Sequence, residues 1–311
     1  MTFHRFRYCL ALSCTLVTLA VTSPALAWGT KGHRIIGALA EERLTATTRA
    51  VVAEILEGQD LANASTWADE MRGAQDNPQF WSDYAAYWHY VNIPPGQSYE
   101  ASEKNPRGDA YAALEVFTVI LLGREAPAGP VREGLELYFG NLAARDAEVQ
   151  RFALKFLLHI IGDLQQPLHS GRAEDRGGNE LQVSWFGEAS NLHAVWDTHL
   201  IEQANLGYTV MARRLSARIA RTPGSQLRFW ETAVPLAWIE DGQRTLERIY
   251  ARHAVDTALD TDYTTDFVPT VELQLLKGGL RMAFLLNSIF DGQSVGAWRK
   301  MPTSGEFIAG L

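Results

Sequence analysis

Residues 143–164 read AARDAEVQRFALKFLLHIIGDL, and this stretch decides the fold. Phe152, Phe156, Leu157, Ile160 and Ile161 recur at helical spacing and form a wide apolar face. A helix apolar on nearly every side belongs inside a protein, so this one is read as the centre of the core. Pro167 stops it. Outward in both directions the same period returns. Residues 32–56 carry Ile35, Ile36, Leu39, Leu44, Val51, Val52, Ile55 and Leu56, which suits two amphipathic helices. Helices are also expected over 107–122, 211–220, 230–252 and 271–290. Residues 181–186 alternate and read as a short strand, half of a hairpin. Residues 92–104 and 171–179 read as loops. There is no repeat, charge block or shift of composition. The expected fold is therefore one all-α domain with a short β-hairpin near residues 181–188.

The first 27 residues read differently. His4, Arg5 and Arg7 open the chain, an apolar run follows to about Val21, and Ala25-Leu26-Ala27 has the small-x-small form of a cleavage site. This is the pattern of a secretory signal peptide cut between Ala27 and Trp28, with the folded domain at 28–311. An uncleaved anchor is disfavoured because the apolar run is short for a membrane span. The destination is then secreted or periplasmic. Both cysteines, Cys9 and Cys14, fall inside that leader, so the 28–311 chain enters an oxidising compartment without a disulfide. That chain keeps 26 basic residues against 36 acidic ones. Such a balance argues against a general basic surface for duplex DNA. An anionic substrate would need a local positive site, which clustered metal ions supply.

The central helix carries His159 and Asp163, four apart and so on one face. The spacing recurs at His193 and Asp197, with His169 between the two pairs. Imidazole and carboxylate together are common zinc ligands. An unpaired carboxylate in an apolar helix is costly, and a metal satisfies it; a His–Asp hydrogen bond is the simpler alternative for either pair alone. Two pairs flanking a third histidine favour metal. Trp28, if freed by cleavage, could chelate through its amine and carbonyl, with His33 five residues later, although a tryptophan packing a chain end fits the spacing as well. Asp69 and Arg72 share a helical face, and His89 stands beside Tyr90. Read alone, these are more often a surface acid, a solvated base and a core histidine. His199 and His253 are read as ordinary residues. Trp185, Trp196, Trp230, Trp238 and Trp298 are read as core.

Together these segments resemble the zinc-dependent, single-strand-preferring nuclease and 3′-nucleotidase family of the S-one/P-one type. The matching strings are Trp28-Gly29 with Gly32-His33, Trp67-Ala68-Asp69 followed by Arg72, and Trp88-His89-Tyr90-Val91. They continue with the run from His159 to His169, Gly177-Gly178-Asn179, and Asn191-Leu192-His193 with Trp196-Asp197-Thr198. The resemblance covers 28–198; the last third is similar only in being helical. It implies three zinc ions in a cleft. Asp69, His89, His159 and Asp163 would hold one. Trp28, His33 and a shared Asp163 would hold the second, and His169, His193 and Asp197 the third. It further implies hydrolysis of phosphodiesters and 3′-phosphomonoesters by a zinc-activated hydroxide, leaving 5′-phosphate products. Asp69, Asp163 and Arg72 would serve catalysis, with Arg72 on the phosphoryl oxygens. Tyr90 would stack a base, and Asn92 and Asn179 would contact substrate. Single-stranded DNA, RNA and 3′-nucleotides are the implied substrates, for a monomer without stable membrane association.

The chain departs from the family at Asn92, where some members carry an acid, and in a loop from His169 to Asn179 about one residue longer than the fungal type. The fungal and plant disulfides are absent. The nearest rival is the related zinc phospholipase C, disfavoured by the short Trp28-to-His33 spacing and by Asp197 in place of Glu. A secreted zinc-binding adhesion or storage protein would need neither Arg72 nor Tyr90. Asn63-Ala64-Ser65 matches a glycosylation acceptor pattern.

Overall fold

The structure, a computed structural model, describes residues 28–73, 76–232, 234–254 and 256–292. The expected leader and its expected cleavage site, both cysteines and Trp298 lie outside the described residues. The central helix, α8 (Ala147–Asp163), begins four residues later than periodicity suggests. The Asp146 side chain accepts from the backbone N–H of Glu148 and Val149 and so caps the helix there. Twelve of its residues are buried, from Val149 to Asp163. It is packed by α1 (Thr30–Glu41), α2 (Ala46–Ile55), α3 (Leu61–Ala64), α4 (Trp67–Met71) and α6 (Ala110–Leu121). Phe152 and Phe156 of α8 meet Trp67 and Phe117 edge-on or tilted, and Trp81 is tilted against Phe152 and stacked on Phe156. These rings build one wall beneath the histidines.

Helices α5 (Pro78–Asp83) and α7 (Pro130–Phe139) border this aromatic wall, and neither was foreseen. The expected helix over 211–220 is α11 (Tyr208–Arg221). The stretch expected as one helix over 230–252 divides into α12 (Gly224–Trp230) and α13 (Pro235–His253). Pro235 takes the first turn of α13, where its missing N–H costs nothing. Trp230 therefore ends a short, unburied helix and is only half-buried, against the reading of it as core. Trp185, Trp196 and Trp238 are buried as expected.

The last helix, α14 (Thr261–Phe290), starts ten residues before the expected one and runs through Pro269. A proline within a helix removes one hydrogen bond and disfavours the residue before it. Here the turns ahead of it are held by burial of Tyr263 and Phe267, and the Tyr263 hydroxyl accepts from Trp196 Nε1 at 2.8 Å. Gly278 and Gly279 let α14 press on α1; a Cβ at Gly279 would stand 2.4 Å from the Leu39 Cβ.

The expected hairpin is present. Strand β1 (Gln182–Trp185) pairs antiparallel with β2 (Glu188–Asn191), Gln182 facing Asn191 and Trp185 facing Glu188. Phe186 and Gly187 make the turn, both at positive φ, as a two-residue hairpin turn requires. A third strand, β3 (Ala258–Leu259), adds in parallel to β1. Two residues are too few to show alternation, so β3 left no trace in the pattern. Helices α9 (Leu192–Ala194) and α10 (Leu200–Glu202) flank a π-helical turn over Val195–His199 that carries Asp197. Among the described residues no helix is long and apolar enough to cross a membrane.

Candidate metal centre and substrate cleft

His159 and Asp163 end α8 inside the core, each fully buried. Helix α1 delivers His33, whose ring stacks on His159 with centroids 4.0 Å apart. Gly162 permits this approach: a Cβ there would lie 2.5 Å from His33 Nδ1. Helix α4 carries Asp69 and, just past its end, Arg72, with Arg72 Nε 3.5 Å from Asp69 Oδ1. The segment after the 3₁₀ turn Ala85–His89 runs beside the turn Pro167–Ser170. Val91 N donates to the His169 carbonyl, and Ile93 N to that of Gly171. This pairing aligns His89, Tyr90 and Asn92 with His169. His193 and Asp197 come from α9 and the π turn after it, where a wider helical turn directs both side chains inward.

Asp163 is the hub. Its carboxylate oxygens lie 3.3 Å from His33 Nε2, 3.3 Å from His159 Nε2, 3.1 Å from His89 Nδ1 and 3.7 Å from His169 Nδ1. Asp69 Oδ1 lies 3.6 Å from His159 Nε2 and 3.9 Å from His89 Nδ1. Further along, Asp197 is 3.0 Å from His193 Nε2 and 3.9 Å from His169 Nε2. Three groups of donors thus converge: His33, His159 and Asp163; Asp69, His89 and His159; His169, His193 and Asp197. Asp69 and His89, which the sequence left open as a surface acid and a core histidine, stand inside the cluster.

The donor set fits metal ions. His33 Nε2, His159 Nε2, His169 Nε2, Asp69 Oδ1 and Asp163 Oδ1 are buried and make no hydrogen bond among the described residues. Buried polar atoms without partners are rare, and here four are gathered around His159 and Asp163 while His169 Nε2 faces Asp197. Tetrahedral zinc with bonds of about 2.0–2.1 Å sets its ligand atoms roughly 3.3 Å apart, close to these separations. Three rings are also aimed from behind. Nδ1–H of His159 donates to the Ser65 carbonyl at 2.7 Å, that of His169 to His89 at 2.8 Å, and that of His193 to Gly177 at 2.7 Å. A carbonyl only accepts, so each Nδ1 holds the proton and each Nε2 lone pair is free for a ligand.

Burial, reinforced by neighbouring histidines, holds His33 and His169 well below the usual imidazole range. Burial, then Arg72 and neighbouring histidines, does the same to His89, and burial outweighs Asp69 in lowering His159. These rings are neutral and ready to ligate. Burial, then the charge of Asp69, pushes the Asp163 carboxyl well above its usual range, a cost that a bound cation removes. Burial also works against the His193 imidazolium, but Asp197 outweighs it and raises that group.

A cleft of about 680 Å³ opens over the cluster, with His89, His169 and His193 among its lining residues. Its walls carry Arg72, Trp81, Tyr90, Asn92, Arg176 and Asn179. Tyr90 is half-buried, and burial raises its phenol, which stays protonated at neutral pH. The Asn179 side-chain amide donates to the Arg176 carbonyl at 2.7 Å. Trp28 is fully buried, and Gly29 beside it donates to the Asp197 carbonyl at 2.8 Å, so the start of the domain is pinned to the third group.

Four contributors escaped the sequence reading. Gly162 and Gln166 stood inside a quoted string but carry no ligand chemistry of their own. Gln166 Nε2 donates to Asp197 Oδ1 at 2.6 Å, while its Oε1 accepts from Leu168 N at 2.7 Å, which fixes the carboxylate. Arg176 and Trp81 reach the cleft only through the fold; the glycine pair after Arg176, which itself takes a φ of 54°, was the one cue in the sequence. In Asn63-Ala64-Ser65, Ser65 is buried and its hydroxyl donates to the His33 carbonyl, so that serine supports the cluster.

Comparison with known proteins agrees with this geometry. A family model described as S1/P1 Nuclease matches residues 28–291. The chain is 31% identical to Endonuclease 2 of Arabidopsis thaliana, covering 85% of this chain and 90% of that one. It is 29% identical to Nuclease S1 of Aspergillus oryzae, over 89% of this chain and 97% of the relative. Against Nuclease P1 of Penicillium citrinum the identity is 26%, over 86% and 99%. With three converging His–Asp groups under a cleft and a family match across the described domain, the chain belongs to the S1/P1 nuclease family and is a nuclease.

Proposed function

We propose that the chain is a secreted, zinc-dependent endonuclease and 3′-nucleotidase acting on single-stranded DNA, RNA and 3′-nucleotides, with 5′-phosphate products. The observation that carries this reading is the convergence of three His–Asp donor groups, two of them meeting at Asp163, beneath a cleft lined by Arg72 and Tyr90. Neutral imidazole with carboxylate suits zinc. Asp69, His89, His159 and Asp163 would hold one ion, Trp28, His33 and Asp163 a second, and His169, His193 and Asp197 the third. Bound there, zinc supplies Lewis acidity and lowers the pKa of water toward neutrality.

The chain's own groups do the rest. Arg72, held beside Asp69, directs its guanidinium at the phosphoryl oxygens and offsets charge that develops there. Arg176 on the opposite wall takes a neighbouring phosphate. Tyr90 offers a ring that stacks any base, and its protonated hydroxyl adds no repelling charge. Asn92 both donates and accepts, so it tolerates more than one base edge. Asn179, its amide N–H engaged with Arg176, keeps its oxygen for a base amino group. Reaching this depth requires a base splayed from its strand, which favours single-stranded substrate.

The test uses protein beginning at Trp28, with its zinc counted, given single-stranded DNA, RNA, a 3′-nucleotide and phosphatidylcholine side by side. About three zinc ions with 5′-phosphorylated products are expected. Lipid cleavage alone would move the chain to the phospholipase branch, and zinc without hydrolysis would make it a binding protein. A residue left ahead of Trp28 is expected to weaken one zinc site; unchanged zinc affinity would remove Trp28 from the ligand set.

A further inference from the structure

The most uneven distribution of charge lies away from the cleft. Residues 203–230 contain five arginines, Arg213, Arg214, Arg218, Arg221 and Arg228, and no acidic residue, in a chain of formal charge −8. Helix α11 explains where they point. It buries Met211, Ala212, Leu215 and Ile219 against its neighbours α1 and α14 and so turns the arginines outward. Arg214 and Arg218 reach Glu272, at 2.7 and 3.8 Å. Arg213, Arg221 and Arg228 are exposed and have no ion pair among the described residues. The nearby acids are engaged elsewhere: Glu42 accepts from Ser216, and Glu231 pairs with Arg43.

Beside them stands an apolar side chain with no packing role. Helix α12 buries none of its residues, and its Phe229 is 75% exposed, the most exposed large hydrophobic among the described residues. Guanidinium groups next to an open aromatic face are what a nucleic-acid strand requires, charge for phosphate and a ring for a base. A membrane-binding face would need a continuous apolar strip, but that of α11 is buried, which leaves Phe229 and the more distant Val210. The basic face also leads toward the active region. A cavity of about 460 Å³ at the start of α11 is lined by Arg34, Tyr208, Thr198 and Asp197. The Arg34 guanidinium stands over the Tyr208 ring, 5.6 Å away, and makes no ion pair among the described residues.

We propose that the α11–α12 face is an accessory site for a single nucleic-acid strand, which holds polymeric substrate while the cleft cuts it. The proposal rests on the nuclease reading for its substrate, but it is measurable without cleavage.

The experiment compares the Trp28-initiated enzyme with two variants, Arg213→Ala/Arg221→Ala/Arg228→Ala and Phe229→Ala. A labelled single strand of thirty nucleotides with a cleavage-resistant phosphorothioate backbone is bound to the zinc-loaded protein, and the ordinary strand is then cleaved; a dinucleotide serves as the short substrate. In the triple variant, Kd and KM for the long strand are expected to rise about tenfold with kcat unchanged. The slope of log Kd against log salt should shrink by about two, at roughly 0.7 per lost phosphate contact on single strands. Dinucleotide kinetics should not change in either variant, and Phe229→Ala should weaken long-strand binding without altering the salt slope. Long-strand binding and salt slope equal to wild type would overturn the proposal. So would loss of binding to phosphatidylglycerol vesicles with strand binding intact, which would make the face a membrane site. A wild type that binds the strand but cuts nothing would refute the nuclease reading and leave this site standing.

Discussion

Asp163 shows how one buried carboxylate organises a site. Four imidazoles lie within 3.7 Å of it, and burial pushes its carboxyl well above the usual carboxylate range. Replacing it by Asn keeps the volume and removes the charge that two donor groups share. Asp163→Asn is expected to hold about one zinc per chain, at His169, His193 and Asp197, with activity lost; elemental analysis of the purified variant checks this, and three retained zincs would refute the shared-ligand role. Gly162 offers a subtler probe. A methyl group there meets His33 Nδ1 at 2.5 Å, so Gly162→Ala must displace the His33 ring. Since misplacement by about 1 Å costs on the order of 100-fold, kcat/KM should fall by about that factor, with weakened binding of one zinc. His159, Asp163, His169, His193 and Asp197 were legible from their spacing, whereas Asp69 and His89 were not. Gly162 was not, because its contribution is the space it leaves for the His33 ring, which lies far away in the chain.

At the scale of elements, α1 and α14 meet through glycine. Gly279→Ala places a Cβ 2.4 Å from the Leu39 Cβ, and both helices are too firmly packed to part freely. Overpacking of this kind costs about 1–3 kcal/mol. The melting temperature should drop by roughly 2–4 °C per kcal/mol, and calorimetry reads it directly. Helix α6 carries a different tension. Burial, helped by Asp109 and opposed by a hydrogen bond from Tyr111, pushes Glu115 up to about 7 from an ordinary 4.5. The folded state therefore binds this proton more tightly than the unfolded one. Its stabilising effect is complete below about pH 4.5 and is lost as pH rises through about 7. Glu115→Gln mimics the neutral acid. Its melting temperature should match wild type near pH 4.5 and exceed it by pH 8, and a pH-independent difference would refute the assignment. Periodicity made α1, α2, α6, α8 and α11 legible, since each buries one face. It placed the starts of α13 and α14 wrongly, because Pro235 opens a new helix while Pro269 fails to end one. That outcome depended on what Tyr263 and Phe267 pack against.

For the molecule as a whole, metal and fold should stand or fall together. The cluster ties α1, α4, α8 and the segment 193–197 to one point, and without a cation it buries donors that lack partners. At a concentration a thousandfold above Kd, a ligand adds about 4 kcal/mol, so chelation should lower the melting temperature by roughly 10 °C. Acid should act in the same direction on the loaded protein. Five imidazoles must stay neutral to ligate, so zinc content should fall as pH drops below about 5. Equilibrium dialysis measures it, and unchanged zinc well below that pH would contradict the ligand set.

The sequence by itself determined the helical class, the central helix, the hairpin and the two His-x-x-x-Asp pairs with His169 between them, while the full set of nine candidate ligands came from the resemblance. Those features are local: helical period, strand alternation and His-x-x-x-Asp spacing are written in neighbouring residues. The tertiary structure decided what depends on residues far apart in the chain. It brought His33, His89 and His169 to one carboxylate, placed Arg176 and Trp81 on the cleft wall, and added a two-residue strand from the far end of the chain. It also left Phe229 bare beside unpaired arginines. Convergence and exposure are properties of packing, and no spacing along the chain records them.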